Sequence, residues 1–128
     1  MAFNRFLRAM LGGGPITLYG DGEQTRDFTF VGDAVSATIA AADRGEPGSV
    51  YNIGGGARVS VNQVLEVMAA CTGTRPQIER HPVQKGDVRN TFADTTAARL
   101  ALGFRPTMLL DAGIEAEYQW MSNTVPVV

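Results

Sequence analysis

Cysteine, histidine, lysine and tryptophan each occur once in this 128-residue chain. A single thiol, Cys71, excludes a disulfide framework and any cysteine-based zinc site. It reads as a small buried hydrophobe near a helix end. A single histidine, His81 between Arg80 and Pro82, gives no geometry for a Ser/His/Asp set and reads as an exposed loop or strand-end residue. No metal ligand set is expected. Apolar runs all fall short of the ~20 residues of a membrane span. Charge of one sign is also missing: 11 basic against 13 acidic residues leave a formal net charge of −2. That balance offers no footprint for nucleic acid or an anionic membrane. Arg5 and Arg8 fall among apolar residues and Gly12–Gly14 follow at once, which is not the order of a signal peptide. With 45% apolar and 19% charged residues, the composition is that of an ordinary globular domain, expected in the cytoplasm.

Hydrophobic spacing predicts a helix over 2–11, with Phe3, Phe6, Leu7 and Met10 on one face, broken by Gly12-Gly13-Gly14-Pro15. A strand over 16–19 follows, then Gly20-Asp21-Gly22, read as a hairpin-like turn into a second extended stretch over 24–30. An Ala-rich helix is expected from Val31 to Asp43, ending at Arg44-Gly45. Residues 49–53 read as a short strand entering Gly54-Gly55-Gly56. Ser60 and Gln63 stand at capping-box spacing ahead of a helix that closes at Gly73. An edge strand is expected within 76–82. Asp94 is placed as the N-cap of a helix over 95–102 stopped by Gly103, and a last amphipathic helix spans 109–121. The order is helix, strand, strand, helix, strand, helix, strand, helix, helix. It predicts a small mixed α+β (α/β-class) unit with about five helices and without a long parallel sheet. One domain over 1–123 and a loose tail over 124–128 complete the plan.

Of the three glycine stretches, only Gly54–Gly56 leaves an extended segment and approaches a helix. Val59 stands where a dinucleotide fingerprint needs its third glycine, so a tight turn is the expectation. Arginine use says more. Ten of the eleven basic residues are arginine and Lys85 is the only lysine. The planar guanidinium fork suits bidentate capture of phosphate. Arg26 and Arg89 lie in loop segments beside carboxylates, Asp27 and Asp87. Two readings fit the spacing: a grip on a sugar diphosphate, or surface ion pairs such as Arg26 with Asp27 or Glu23.

Five strings decide more than spacing does. Ile16-Thr17-Leu18-Tyr19-Gly20-Asp21-Gly22-Glu23-Gln24-Thr25-Arg26-Asp27-Phe28, with Val31 and Asp33 beyond it, comes first. Tyr51-Asn52-Ile53-Gly54-Gly55-Gly56, Gly86-Asp87-Val88-Arg89, Ala93-Asp94 and Leu102-Gly103-Phe104 follow. In this order they resemble the C-terminal half of NAD-dependent nucleotide-sugar epimerases and dehydratases, the extended short-chain dehydrogenase/reductase family. The resemblance spans essentially the whole chain. It implies that Thr17, Leu18 and Tyr19 hold a nucleotide base largely through backbone groups. It places Arg26 on the pyrophosphate, Asp87 on ribose hydroxyls, Val61 as an apolar wall and Arg89 on the diphosphate.

Three departures accompany the match. Gln84 stands where well-known 4-epimerases carry a second phosphate arginine, so that role falls to Arg89 or goes unfilled. Gly32 replaces a usual acidic residue, and Leu109 a usual Ser or Thr cap. The family's cofactor half carries a glycine-rich NAD fingerprint and a catalytic Tyr-x-x-x-Lys. Here Tyr19, Tyr51 and Tyr118 are followed at that spacing by Glu23, Gly55 and Ser122, so no catalytic or cofactor-binding residue is expected. The resemblance therefore implies a substrate domain without the Rossmann domain, binding a nucleotide sugar, with a UDP-sugar favoured. Its NAD would be held elsewhere, and its exposed face would meet a second copy or a separately encoded cofactor domain. Base, sugar and reaction branch stay open.

Overall fold

The computed structural model describes residues 2–124. Five helices alternate with four short strands: α1 (Ala2–Gly12), β1 (Ile16–Tyr19), β2 (Thr25–Asp27), α2 (Val31–Arg44), β3 (Arg58–Ser60), α3 (Val61–Thr72), β4 (Ile78–His81), α4 (Thr96–Leu102) and α5 (Leu110–Thr124). The class and the order of elements match the expectation. Thr124 closes α5, and the remainder of the expected loose tail, 125–128, lies outside the described residues.

The strands form two separate ladders. β1 runs parallel to β4, with Ile16 opposite Ile78 and Tyr19 opposite His81. β2 runs antiparallel to β3, with Thr25 opposite Ser60 and Asp27 opposite Arg58. The hairpin expected at Gly20–Gly22 is therefore absent, because β1 and β2 belong to different ladders. The turn instead carries the chain from one ladder to the other. Asn62 donates its backbone N–H to Gly22 O at 3.0 Å, and Asn62 Nδ2 donates to Asp21 O at 3.1 Å. Gly22 has φ +82°, and a Cβ there would collide with the Asn62 amide, so this crossing requires glycine.

The expected strand over 49–53 is also absent. Tyr51 and Ile53 pack their side chains against the α2–α4 cluster, and no ladder partner lies beside them among the described residues. The third strand is β3 instead, directly ahead of α3. The capping box at α3 is complete: Gln63 N donates to Ser60 Oγ at 3.2 Å and Ser60 N donates to Gln63 Oε1 at 2.9 Å. Gly73, at φ +68°, ends that helix. At α4 the cap shifts by one residue to Thr95, while Asp94 Oδ1 accepts from Thr96 N at 2.9 Å.

Two hydrophobic clusters result. The larger joins α1, β1, α3 and α5 through Leu7, Met10, Ile16, Leu18, Val64, Leu65, Met68, Ile114 and Met121. The smaller joins α2 and α4 through Ala37, Ala98, Leu102 and Phe104. Two carboxylates tie the chain across them. Asp33, only 5% exposed, accepts from the Thr107 N–H at 3.0 Å, the Thr107 hydroxyl at 2.8 Å and the Met108 N–H at 3.2 Å. Burial alone would raise its pKa, but these hydrogen bonds prevail and hold it below the ordinary carboxylate value. Asp27 accepts from Gly55 N, Gly56 N and Ala93 N at 2.7, 3.1 and 3.2 Å.

Candidate nucleotide-binding cleft

A cleft of about 440 Å³ opens where α1, β1, β2 and the start of α3 meet the loop after β4. Six of the seven residues singled out by resemblance line it: Thr17, Leu18, Tyr19, Arg26, Val61 and Asp87. Alternation along β1 explains their presentation. Ile16 and Leu18 bury their side chains in the larger cluster, so Leu18 offers the cleft little beyond its backbone. Tyr19 turns outward and its ring meets that of His81, centroids 5.7 Å apart. His81 itself is exposed, as expected. Gln24 Nε2 donates to Tyr19 O at 2.9 Å and steadies the end of the strand.

An ion pair does form at Arg26, but with a different carboxylate from the two that the spacing suggests. Arg26 pairs with Asp87, Nη2 to Oδ1 at 2.5 Å, rather than with Asp27 or Glu23. Arg26 Nη1 also donates to Thr25 O at 2.8 Å. Asp27 is already engaged by three backbone N–H groups, and Glu23 Oε1 accepts from Asn62 Nδ2 at 2.6 Å. A cation and an anion thus face each other on the wall of the cleft, each about one-third exposed.

Arg89 lies next to Arg26, whose Nη1 donates to the Arg89 carbonyl at 3.4 Å, but its guanidinium is directed elsewhere. Its Nη1 donates to both oxygens of Asp21, at 3.0 and 2.9 Å, and it does not line the cleft. Asp21 is held below the ordinary carboxylate value by the Glu23 N–H first and by Arg89 second. Sequence reasoning missed Lys85, Gln24 and Phe6, which do line it. Lys85 carried a usable signal, being the one lysine in a chain of arginines and standing two residues before Asp87.

A dinucleotide would need free backbone donors in the glycine loop. The Gly55 and Gly56 N–H groups, which would have to face a pyrophosphate, are both donated to Asp27. A Cβ at Gly55 would collide with Phe28 O, so the glycine there serves close packing. This loop does not fit NAD. Among the described residues, no three His, Cys, Asp or Glu side chains gather as a metal site, and no helix is long and apolar enough to cross a membrane. Cys71 is half-buried at the edge of the larger cluster, and burial, with Glu115 adding to it, pushes its thiol pKa up.

A second concavity is larger and apolar. A groove of about 860 Å³ runs between Phe28–Val31 and the stretch from Met108 to Trp120. Leu109 is 72% exposed there, Val31 68% and Trp120 54%. Glu117 is the acidic group of its α5 wall, and burial raises its pKa despite a hydrogen bond from Asn4. Ala2 and Phe28 line both concavities, so the start of α1 sits on the ridge between them.

Comparison with known proteins gives this geometry its context. Residues 1–54 match the NAD dependent epimerase/dehydratase family. The chain is 34% identical over 118 residues to the UDP-glucose 4-epimerase of Mycolicibacterium smegmatis, covering 92% of this chain and 38% of that protein. It superimposes on UDP-glucuronic acid 4-epimerase from Bacillus cereus, solved with UDP-glucuronic acid and NAD. That match has a TM-score of 0.91 and 34% identity, over 96% of this chain and 40% of the other. With MoeE5, solved with UDP-glucuronic acid and NAD, the TM-score is 0.92 and the identity 41%, over 98% of this chain and 42% of the other. The chain thus spans about 40% of the length of the relatives it matches.

Proposed function

This chain is a domain of the NAD-dependent epimerase/dehydratase family, and from that premise we propose that it is the part that grips a nucleotide sugar, with a UDP-sugar as the favoured ligand. The observation that carries this reading is the convergence of six expected ligand positions on one cleft, with Arg26 and Asp87 paired on its wall. In this reading the β1 backbone from Thr17 to Tyr19 faces the base and Val61 closes an apolar side. The Arg26 guanidinium takes pyrophosphate oxygens and the Asp87 carboxylate accepts from ribose hydroxyls.

Arg26 and Asp87 hold each other in the free domain, so ligand entry exchanges one ion pair for two ligand contacts. The exchange is nearly balanced on the protein side and keeps both groups pointed into the cleft before the ligand arrives. NAD supplies the redox chemistry of the family's sugar epimerisation when it is bound. This chain's own groups bind and orient, and the domain alone is expected to leave UDP-glucose unconverted even with NAD added. Its compartment in this reading is the cytoplasm, in keeping with Cys71 as an unpaired thiol.

A thermal-shift panel of UDP, UDP-glucose, UDP-glucuronate, a dTDP-sugar, a GDP-sugar and NAD tests the reading. Ligand at about 100 times its dissociation constant adds about 2.7 kcal/mol, a rise of several degrees for a domain of this size. A shift with one nucleotide class and none with NAD supports it; no shift with any of them sinks it.

The apolar groove favours a second reading alongside the first. Exposed Val31, Leu109 and Trp120 on one face are the mark of an association surface. The remaining portion of the family fold, whether supplied on another chain or in continuation of this one, is the occupant that suits it. A ligand-free homodimer is the competitor. Light scattering separates them: a monomer at high concentration removes the homodimer, and a dimer that binds no nucleotide would favour it.

A further inference from the structure

Resting on the nucleotide-diphosphate reading of the cleft, we propose that Lys85 is its second phosphate-binding cation. It takes the part left vacant by Gln84, which Arg89 was expected to fill.

Charge on the cleft wall comes first. Arg26 and Asp87 neutralise one another, so on their own they give the site no net attraction for a diphosphate, which carries a negative charge on each phosphate. Lys85 is the one further charged side chain lining the cleft, and it turns the balance to a net cation. Arg89 is unsuited to the part, since its Nη1 is shared between the two oxygens of Asp21 and its guanidinium does not line the cleft. Gln84 also lines the cleft but brings no charge.

Local backbone explains why Lys85 stands there. Asp87 N donates to Gln84 O at 3.1 Å, closing a four-residue turn with Gly86 at its third position and φ +90°. The turn sets Lys85 at its corner, two residues from the carboxylate that Arg26 holds. Lys85 is exposed and forms no ion pair among the described residues, so its ammonium is free to meet an anion. Its four-carbon stem supplies reach that a shorter side chain on this turn would lack. The ladder orients Arg26 rigidly and the turn carries Lys85 on a flexible stem, so the pair would close on the diphosphate from two sides.

A chain with one lysine allows a direct test. Reductive methylation with carbon-13 formaldehyde labels one ε-amine besides the N-terminal α-amine, and the NMR signal that Lys85→Ala removes reports on Lys85 alone. We expect it to move on titration with UDP and with inorganic pyrophosphate, and to stay still with uridine. In calorimetry, Lys85→Ala should weaken UDP binding about tenfold while uridine binding stays unchanged, and Lys85→Arg should restore most of the loss. Arg89→Ala should cost less than Lys85→Ala. If the chain binds UDP and Lys85→Ala retains full affinity, or if Arg89→Ala carries the loss instead, the assignment is overturned. If the unaltered chain binds neither UDP nor pyrophosphate, the nucleotide-sugar reading itself fails and this assignment falls with it.

Discussion

The two hydrophobic clusters divide the molecule unequally in function as well as in size. The larger one underlies α1, β1 and α3, three of the walls of the candidate cleft. The smaller one, between α2 and α4, contributes no lining residue to it. A domain of this size can therefore keep a site on one core and use the other for spacing, provided the two are tied. Here the ties are carboxylates. Asp27 leaves the strand beside Arg26 and holds the glycine loop and Ala93, and Asp33 holds the approach to α5.

That division is open to mutation. The largest effect is expected at Met68, which is 0% exposed in the larger cluster. Met68→Ala should cost about 4 kcal/mol in urea unfolding and weaken UDP binding with it. Leu102→Ala in the smaller cluster should cost about 3 kcal/mol and leave UDP affinity untouched; equal losses of affinity from both would erase the distinction.

Next comes the tie itself. Asp33→Ala leaves the Thr107 N–H and hydroxyl and the Met108 N–H without their acceptor, a loss of about 2 kcal/mol. Because the folded pKa of Asp33 is depressed, its contribution is complete above the unfolded value of about 3.9. It disappears as pH falls below that value through the folded one. Acid titration of the melting point should show a shallower decline in Asp33→Asn than in the unaltered chain.

At the cleft the order of effects reverses. Arg26→Ala should change stability by less than about 1 kcal/mol, since its ion pair is partly solvated. Calorimetry should nevertheless record a loss of UDP affinity of about tenfold or more. The smallest change is a gain. Leu109 occupies the cap position ahead of α5, and Leu109→Ser should add about 1 kcal/mol, read as a higher melting point.

Much of this architecture is legible in the residues because its signals are local. The Ser60/Gln63 capping box, the stops at Gly73 and Gly103 and the alternation of Ile16 and Leu18 each depend on a few neighbouring positions. What escapes is set by distant partners. Tyr51 and Ile53 have strand-like character, yet they pack half-buried against helices and no ladder among the described residues receives them. Gly20-Asp21-Gly22 has turn chemistry that suits a hairpin, but β4, some sixty residues on, claims β1. The site divides in the same way. Arg26 and Asp87 come together from 61 positions apart, as the family's motifs imply. The Arg89 guanidinium does not join them; it pairs with Asp21 at 2.9 Å, a partner 68 positions away that its own neighbourhood in the sequence does not reveal.

The ladder that seats β1 leaves β4 with an outer edge that no strand covers among the described residues. Such an edge is a template on which another chain can add a strand. All four residues of β4 are exposed, and three of them, Glu79, Arg80 and His81, are polar or charged. Arg80 moreover donates to Asp21 O at 2.9 Å, holding its side chain over the crossing turn. A strand approaching from solvent would have to strip water from these groups without providing partners for them. β4 thus serves the fold on one side and guards it against aggregation on the other.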